Sequence, residues 1–451
     1  MTLPMNFAET LSYLLSLGHE TLAIKLGLRN TELLLAALGN PQRAYESVQI
    51  AGTNGKGSTA AMLASICRAA GISTGLFTSP HLVSITERIT IDGNNISEAR
   101  FAELASEVRT AAESLLARQE LAASPTFFEH VTAIALLAFR AAGVSLAILE
   151  TGLGGRLDAT TVAGANTVGL TPIALDHQEY LGDTIEAIAY EKAAIIRPRV
   201  TAISAPQLPA VLEVIGKRSA AVRVELVVNG CRALATKATA DGHLKVTFQS
   251  SQDRYEQVTL GLRGRHQITN ACLAIQLAES LRRRGFEVSN PAIVKGLEST
   301  QHAGRLSFYA GSPAVLLDGA HNPSAALVLR EYLDEFVGAP VTLIFGAMSD
   351  KRLAEMGAIL FPRVAKLVLT KPDNPRAAAV ESLQTLASEF IVPAKIFTAA
   401  TVPAALQLAR QLTPPTGLIG AAGSLFLVGE LTALLRNSSQ TEFAKEHHGD
   451  D

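Results

Sequence analysis

The chain lacks tryptophan and carries only three cysteines, Cys67, Cys231 and Cys272, which are widely spaced and odd in number. That usage argues against a disulfide framework, offers no zinc-ligand spacing, and fits a reducing compartment such as the cytosol. A strong charge bias is also missing: the formal net charge is −2, which leaves no electrostatic footprint for nucleic acid. No uninterrupted apolar stretch approaches the ~20 residues that a membrane span needs. The N-terminal "MNFAETLSYLLSLG" has no basic leader, and Glu9 interrupts its apolar run. It is expected to be an amphipathic helix rather than a signal peptide, which places the protein in the cytoplasm without membrane or nucleic-acid partners.

The chain is 48% hydrophobic and 18% charged, so it can bury a large core. Its 451 residues are too many for one ordinary core, and two or three domains are expected. Strand-like runs such as "SVQIAG", "STGLFTS", "SLAILETG", "NTVGLTPI" and "VTAISAP" alternate with Ala- and Leu-rich helical runs. This is the pattern of an α/β domain with a mostly parallel sheet. "RVELVVNG", "HLKVTFQS" and "EQVTLGL" follow closely on one another and suggest a small antiparallel sheet, before the helical "HQITNACLAIQLAESLRRRG". From Ser312 a second set of five strand candidates begins: "AVLLDGA", "VTLIFGAM", "AKLVLTK", "AKIFTA" and "TGLIGAAG". With their intervening helices they predict a doubly wound, Rossmann-like α/β domain. The expected division is residues 1–300, 301–436 and a polar, frayed tail over 437–451, with "LESTQHAGRL" as the linker.

"IAGTNGKGST", residues 50–59, departs from the usual phosphate-loop spacing, because position 50 is Ile and position 57 is Gly. Its context of strand, glycine turn and helix is nevertheless the one phosphate binding requires. Gly52, Gly55 and Gly57 allow close backbone approach, and Lys56 supplies a point charge. Ser58 or Thr59 can face a magnesium ion. Taken alone, the stretch has a lesser alternative reading, a glycine-rich turn that holds nothing.

Further segments occur in order along most of the chain: "TSPHL" (78–82), "ERI" (87–89), "FFEHVTAIA" (127–135), "LETGLGGRLDATT" (149–161), "LDHQEYLGDTIEAIAYEKAAIIRP" (175–198), "GRHQITNACLA" (264–274), "LDGAHNP" (317–323), "SDK" (349–351), "DNPRA" (373–377) and "GSLFLVGE" (423–430). With "GTNGKGST" they resemble the Mur ligase superfamily, and within it the folylpolyglutamate synthase/dihydrofolate synthase family. "LETGLGGRLDATT" and "LDGAHNP" are the specific ones. The resemblance implies an N-terminal P-loop-type ATPase domain and a C-terminal glutamate-ligase domain. It implies an ATP-dependent ligase that joins L-glutamate to a reduced folate or to dihydropteroate through an acyl phosphate. Implied cofactors are ATP and Mg2+, with K+ a further candidate, and the family tends to be monomeric.

Carried over residue by residue, the resemblance implies that Gly52, Thr53, Asn54, Gly55, Lys56, Gly57, Ser58 and Thr59 hold the triphosphate. Asn270 would contact adenine and Asp318 the ribose. Arg305 would reach the phosphates, although Ala303 stands where the family usually has proline. Ser79, Glu150 and His177 would hold magnesium. All three lie at carboxyl ends of predicted strands, where α/β sheets place ligands. Read singly, Ser79 is a turn residue, Glu150 a loop carboxylate and His177 a surface histidine. Lys192 would become a carbamate that ligates a second magnesium; alone it reads as a helix-surface lysine beside Glu191. CO2 attacks only a neutral amine, so this assignment requires a depressed lysine pKa. His321 and Ser424 are candidates for the incoming glutamate. With aromatics at only 5% of the chain, Phe127 and Phe128 stand out as walls for a pterin; the plainer reading is that one of them is core. Gly154 and Arg156 belong to what reads as a flexible substrate loop. Lys56, His177, Lys192, Arg305 and His321 form the expected catalytic set.

Three other readings compete. Another Mur-type amino-acid ligase would carry a domain before the phosphate loop, yet only 51 residues precede Gly52. A catalytically inactive regulatory nucleotide binder would show damage at Lys56, Glu150, His177, Lys192 or Arg305, and all are present. A P-loop kinase would release a phosphorylated product rather than free phosphate.

Overall fold

The computed structural model describes residues 4–18 and 27–446. Its first sheet has eight strands: β1 (Glu46–Ala51), β2 (Thr74–Phe77), β3 (Ile89–Ile91), β4 (Asn94–Asn95), β5 (Leu146–Glu150), β6 (Thr167–Leu170), β7 (Thr201–Ser204) and β8 (Leu226–Val228). They run in the order β4-β3-β2-β5-β1-β6-β7-β8. The six strands from β2 to β8 along that order are parallel, and β3 and β4 add an antiparallel edge. Central strands are buried on both faces, as a parallel sheet covered by helices requires. Along β5, Leu146 and Ile148 face a core shared with the helices Lys56–Ala69 and His266–Arg282. Ala147 and Leu149 face the opposite core, under the helices Glu98–Ala117 and Phe127–Ala142.

A second, three-stranded antiparallel sheet joins β9 (Cys231–Ala238), β10 (Leu244–Ser250) and β11 (Arg254–Thr259). Here one expectation is corrected. "RVELVVNG" holds β8, which pairs parallel with β7 at the edge of the main sheet. The third strand of the small sheet is instead β9, which the sequence reading passed over. β9 is mostly exposed and polar, so it lacks the apolar alternation that marks a half-buried strand.

The third sheet contains β12 (Ser307–Tyr309), β13 (Ala314–Leu317), β14 (Val341–Phe345), β15 (Lys366–Thr370), β16 (Ile396–Ala399) and β17 (Leu418–Ala422), in the order β12-β13-β17-β14-β15-β16. The five strands expected after Ser312 are all present and parallel; β12 adds an antiparallel edge. The last helix, Leu425–Glu446, continues through most of the stretch expected to be a frayed tail, and residues 447–451 of that stretch lie outside the described residues. The expected N-terminal helix is Phe7–Ser16, closed by a capping box between Asn6 and Glu9. No helix of the described residues is long and apolar enough to cross a membrane.

Candidate functional site

The carboxyl ends of β1, β2, β5 and β6 face those of β13, β14 and β17 across one cavity of about 640 Å³. Ligands of open α/β sheets collect at such edges.

β1 runs into the glycine loop. Gly52 has φ +148°, and a Cβ there would lie 1.8 Å from Thr171 Oγ1. Gly55 has φ +89°, and a Cβ there would lie 2.3 Å from Asn270 Oδ1. Both positions therefore need glycine, for conformation and for room. The N–H groups of Thr53 and Asn54 both donate to Pro172 O, at 3.0 and 3.2 Å. They are committed to the neighbouring loop and do not face a ligand. The helix Lys56–Ala69 has no side-chain cap, and its first N–H groups, at Lys56, Gly57 and Ser58, have no hydrogen-bond partner among the described residues. Such a terminus attracts anions through its free donors and its dipole. Lys56 Nζ donates to Thr53 O at 3.2 Å, which folds the ammonium back over the loop.

Glu150 ends β5 with its carboxylate buried, and its Oε2 accepts from the Ser79 N–H at 3.3 Å. Burial raises its pKa, while Lys56, Arg305 and Arg88 supply opposing positive charge. His177, beyond β6, adopts a left-handed φ of +50°. Burial lowers its pKa to about 4, so the ring is neutral near pH 7 and free to offer a lone pair. Lys192 is not the surface lysine that its local sequence suggests. Its side chain is buried, and its Nζ donates to Gly52 O at 2.7 Å. Burial, and next the positive Lys56, bring its pKa down to about 7.

The adenine candidate Asn270 is buried and donates through Nδ2 to Gln267 Oε1 at 2.9 Å. Asp318 accepts from the N–H of Leu306 and of Ala320, both at 2.9 Å. It thereby fixes the chain just after Arg305 and just after Gly319 as well as lining the cavity. Ser424 Oγ accepts from Phe426 N at 3.1 Å at the start of the last helix. His321 places Nδ1 against Gly319 O at 2.8 Å and Nε2 3.6 Å from Asp176 Oδ2.

The cavity thus gathers Gly52, Thr53, Asn54, Gly55, Lys56, Ser58, Ser79, Phe128, Glu150, Arg156, His177, Lys192, Asn270, Arg305, Asp318, His321 and Ser424. Four sequence candidates are not in its wall. Gly57 lines an adjoining cavity of about 490 Å³ that shares Ser79, Glu150 and Arg305. Thr59 is buried, with Oγ1 unpartnered among the described residues. Phe127 belongs to the core, with the Arg88 guanidinium 5.4 Å from its ring centroid. Gly154 packs against Leu181.

The loop expected to be flexible, residues 152–161, is pinned. The buried Asp158 accepts from the N–H of Gly152 at 2.8 Å and of Leu153 at 3.0 Å, and Arg156 pairs with Glu191 at 3.0 Å. Phe128 rests on Gly152, where a Cβ would lie 2.5 Å from its ring.

Sequence reading also missed Asp176 and Asn322, and could assign Lys351 no role. Asp176 adjoins His177 and receives Lys351 Nζ at 3.0 Å and Asn322 Nδ2 at 3.2 Å. Burial opposes its charge, yet His321, His177 and Lys351 together hold the carboxylate well below the ordinary range. At 3.6 Å the His321 contact is electrostatic rather than a hydrogen bond; the Lys351 pair is the closer. A polar residue before Pro323 was the one available signal for Asn322, since Ser, Thr, Asp or Asn followed by Pro marks a helix start.

Residues 50–278 match the Mur ligase middle domain, and residues 304–425 match the Mur ligase glutamate ligase domain. A dihydrofolate synthase/folylpolyglutamate synthase of Mycobacterium tuberculosis is 35% identical over 395 residues, covering 84% of this chain and 81% of that protein. The Escherichia coli protein of the same name is 35% identical over 387 residues, covering 83% of this chain and 84% of that one. Two haloarchaeal relatives are longer. The chain spans about half their length, 50% of the "Probable bifunctional folylpolyglutamate synthase/dihydropteroate synthase" of Haloferax volcanii and 53% of that of Halobacterium salinarum. Among solved structures, M. tuberculosis folylpolyglutamate synthase complexed with ADP superposes with a TM-score of 0.89 at 31% identity, covering 95% of this chain and 98% of that one. E. coli FolC in complex with DHPP and ADP gives 0.85 at 30% identity, covering 96% and 99%. The shared loop, the two sheets facing one cavity and these likenesses over nearly the whole chain lead to one conclusion: the chain belongs to the folylpolyglutamate synthase/dihydrofolate synthase family of Mur-type ligases.

Proposed function

We propose that this protein is an ATP-dependent carboxylate–amine ligase that adds L-glutamate to a reduced folate, and to dihydropteroate where the pocket admits it. The observation that carries this reading is the convergence, in one cavity, of an anion-receptive helix terminus with Lys56, Glu150, His177 and Lys192 from one sheet and Arg305, His321 and Ser424 from the other. The ADP and AMPPCP complexes of the M. tuberculosis relative and the ADP complex of E. coli FolC support ATP as the phosphate donor.

A carboxylate approaching a triphosphate brings anions together, so the site must supply positive charge. Lys56, the free N–H groups at the helix start and Arg305 lie where that charge is needed. Ser79, Glu150 and His177 fit a magnesium ion by donor chemistry: a buried carboxylate with one backbone partner, a hydroxyl and a neutral imidazole. Among the described residues no group of three or more His, Cys, Asp or Glu side chains could hold a metal ion by itself, so phosphate and water would have to supply most of the ligands. Bound there, it would neutralise charge on the transferring phosphoryl group. Ser424 and His321 would position glutamate, and the pinned loop 152–161 with Phe128 would hold the flat ring of the acceptor. The chain divides near Gln301, and closure of the second domain would exclude water from the acyl phosphate. The free, buried cysteines support a reducing compartment such as the cytoplasm.

Lys192 suits carbamylation. A carbamate nitrogen keeps one hydrogen, so the bond to Gly52 O can persist. Since the folded amine titrates at about 7, its neutral fraction grows as pH rises through that value. Protein stripped of CO2 is expected to lose most activity and to regain it with bicarbonate, more completely at pH 8 than at pH 6. Equal recovery at both would count against the assignment. Linkage gives a second sign: between about 7 and the ordinary lysine value near 10.4 the unfolded chain binds a proton that the folded one does not, so Lys192 adds stability as pH rises across that window.

The direct test is phosphate release from ATP with L-glutamate, using dihydropteroate and tetrahydrofolate as separate acceptors. Release with both makes the enzyme bifunctional, and release with tetrahydrofolate alone makes it a polyglutamylating enzyme. Release with neither sinks the proposal.

A further inference from the structure

Asn322 precedes the helix Pro323–Phe336 in the second domain and is buried. Its Oδ1 accepts from Ala325 N at 2.9 Å, which caps the helix. Its Nδ2 donates to Asn54 Oδ1 and to Asp176 Oδ2, both at 3.2 Å. The two hydrogens of one amide are thus spent on two separate loops of the first domain. Asp176 Oδ1 also accepts from Lys351 Nζ at 3.0 Å, and both side chains are largely shielded, at 9% and 11% exposure. Lys351 comes from the loop after β14, a different part of the second domain. The two first-domain loops are themselves joined, because Thr53 Oγ1 donates to Ala174 O at 3.0 Å and accepts from Ala174 N at 3.1 Å.

These contacts fall beside the reacting groups and not on them. Asn54 adjoins Gly55 and the helix terminus, and Asp176 adjoins His177. We propose that Asn322, Asp176 and Lys351 form an interdomain clasp, a set of positioning residues that couples docking of the second domain to the placement of the phosphate loop and of His177. The inference rests on the ligase reading above for its kinetic consequence, though not for its structural one. An amide offers directional donors but no net charge, whereas the Lys351–Asp176 pair supplies attraction. Together they specify both the docked orientation and its strength. Either loop alone would keep its backbone path through the Thr53–Ala174 bonds. Without the clasp, Asn54 Oδ1 would lose its side-chain donor, and the Asp176 carboxylate would keep only the His177 N–H at 2.9 Å and the His321 ring nearby, which leaves more of its charge to repel incoming phosphates.

The test uses the full chain in three variants. Asn322→Ser keeps a helix-capping oxygen and loses the bridging amide. Lys351→Met removes the cation, and Lys351→Arg restores it. The first readout needs no turnover: amide hydrogen exchange over residues 53–55 and 172–177 with ADP bound. Exchange is expected to rise about tenfold or more in Asn322→Ser and Lys351→Met and to stay near wild type in Lys351→Arg. The second readout is the kinetic split, with kcat falling about thirtyfold and the KM for ATP moving less than about threefold. Folded Asn322→Ser protein with unchanged exchange and unchanged kcat would overturn the clasp, as would equal effects of Lys351→Arg and Lys351→Met. If wild-type protein releases no phosphate with any folate, the ligase reading fails while the exchange result still decides the clasp.

Discussion

Lys56→Ala protein is expected to fold normally and to release phosphate at least about a thousandfold more slowly than wild type, a loss of about 4 kcal/mol of transition-state stabilisation. The side chain leaves the first turn of the helix Lys56–Ala69 and returns over the loop to Thr53 O at 3.2 Å. It is no part of a core cluster, and alanine is a better helix former than lysine, so thermal stability should change little. The catalytic loss is large because the charge acts where burial keeps water out. Glu150 beside it is buried, and Lys56 leads the charges that counter that burial. Without Lys56, a buried carboxylate would face the incoming triphosphate with one less cation between them. Lys56→Arg is expected to recover little, because a planar fork cannot replace a compact ammonium in a glycine-walled loop. Near-normal turnover in Lys56→Ala, measured as phosphate release at saturating substrates, would remove this loop from the site.

The second large effect belongs to Lys192. Lys192→Ala is expected to lower kcat about a hundredfold or more and to respond to added acetate or formate, which wild type should not. The amine is buried against Gly52 O at 2.7 Å, so deletion leaves a space bounded by the glycine loop. A small carboxylate can enter it and supply the two oxygens that the carbamate would have provided. Lys192→Met fills the same space without a charge and should show no rescue, which separates lost packing from lost chemistry. Deletion also removes an amine that costs the fold stability whenever it is protonated. Lys192→Ala should therefore be no less stable than wild type at pH 6, in contrast to a packing residue. Equal inactivity of both variants with no carboxylate response would contradict the carbamate role.

Much of the architecture was legible because local pattern and tertiary role agree. β1, the glycine turn and the helix after it each carry their own signal, and so do the five parallel strands after Ser312. β8 and β9 were confused for a physical reason. A short apolar run reads the same whether it pairs parallel at a sheet edge or antiparallel in a hairpin, and the mostly exposed β9 carries no apolar alternation. The site was legible in pieces. Ser79, Glu150 and His177 could be placed at strand ends, but their convergence follows from strand order, which no local stretch encodes. Lys192 illustrates the limit most plainly. Two residues before it, Tyr190 is 61% exposed, and nothing in "AYEKAA" says that Lys192 turns inward to the glycine loop. The clasp was illegible because its members, Asp176, Asn322 and Lys351, and the Asn54 that Asn322 holds come from four loops of two domains. Only Asn322, through the proline that follows it, left a mark. The pinned loop 152–161 misled in the other direction: its glycines suggest mobility, whereas Gly152 serves to admit Phe128 and the loop is fixed by Asp158.

In the proposed reaction the acceptor carboxylate attacks the γ-phosphate before glutamate displaces the phosphate, so that one carboxylate oxygen leaves as phosphate. Acceptor labelled with 18O in both carboxylate oxygens, turned over with ATP and L-glutamate, tests this directly. An acyl-phosphate route puts one 18O atom in each inorganic phosphate released and leaves one in the new amide. Amide product formed alongside phosphate free of label, the displaced 18O having left in water, would contradict it.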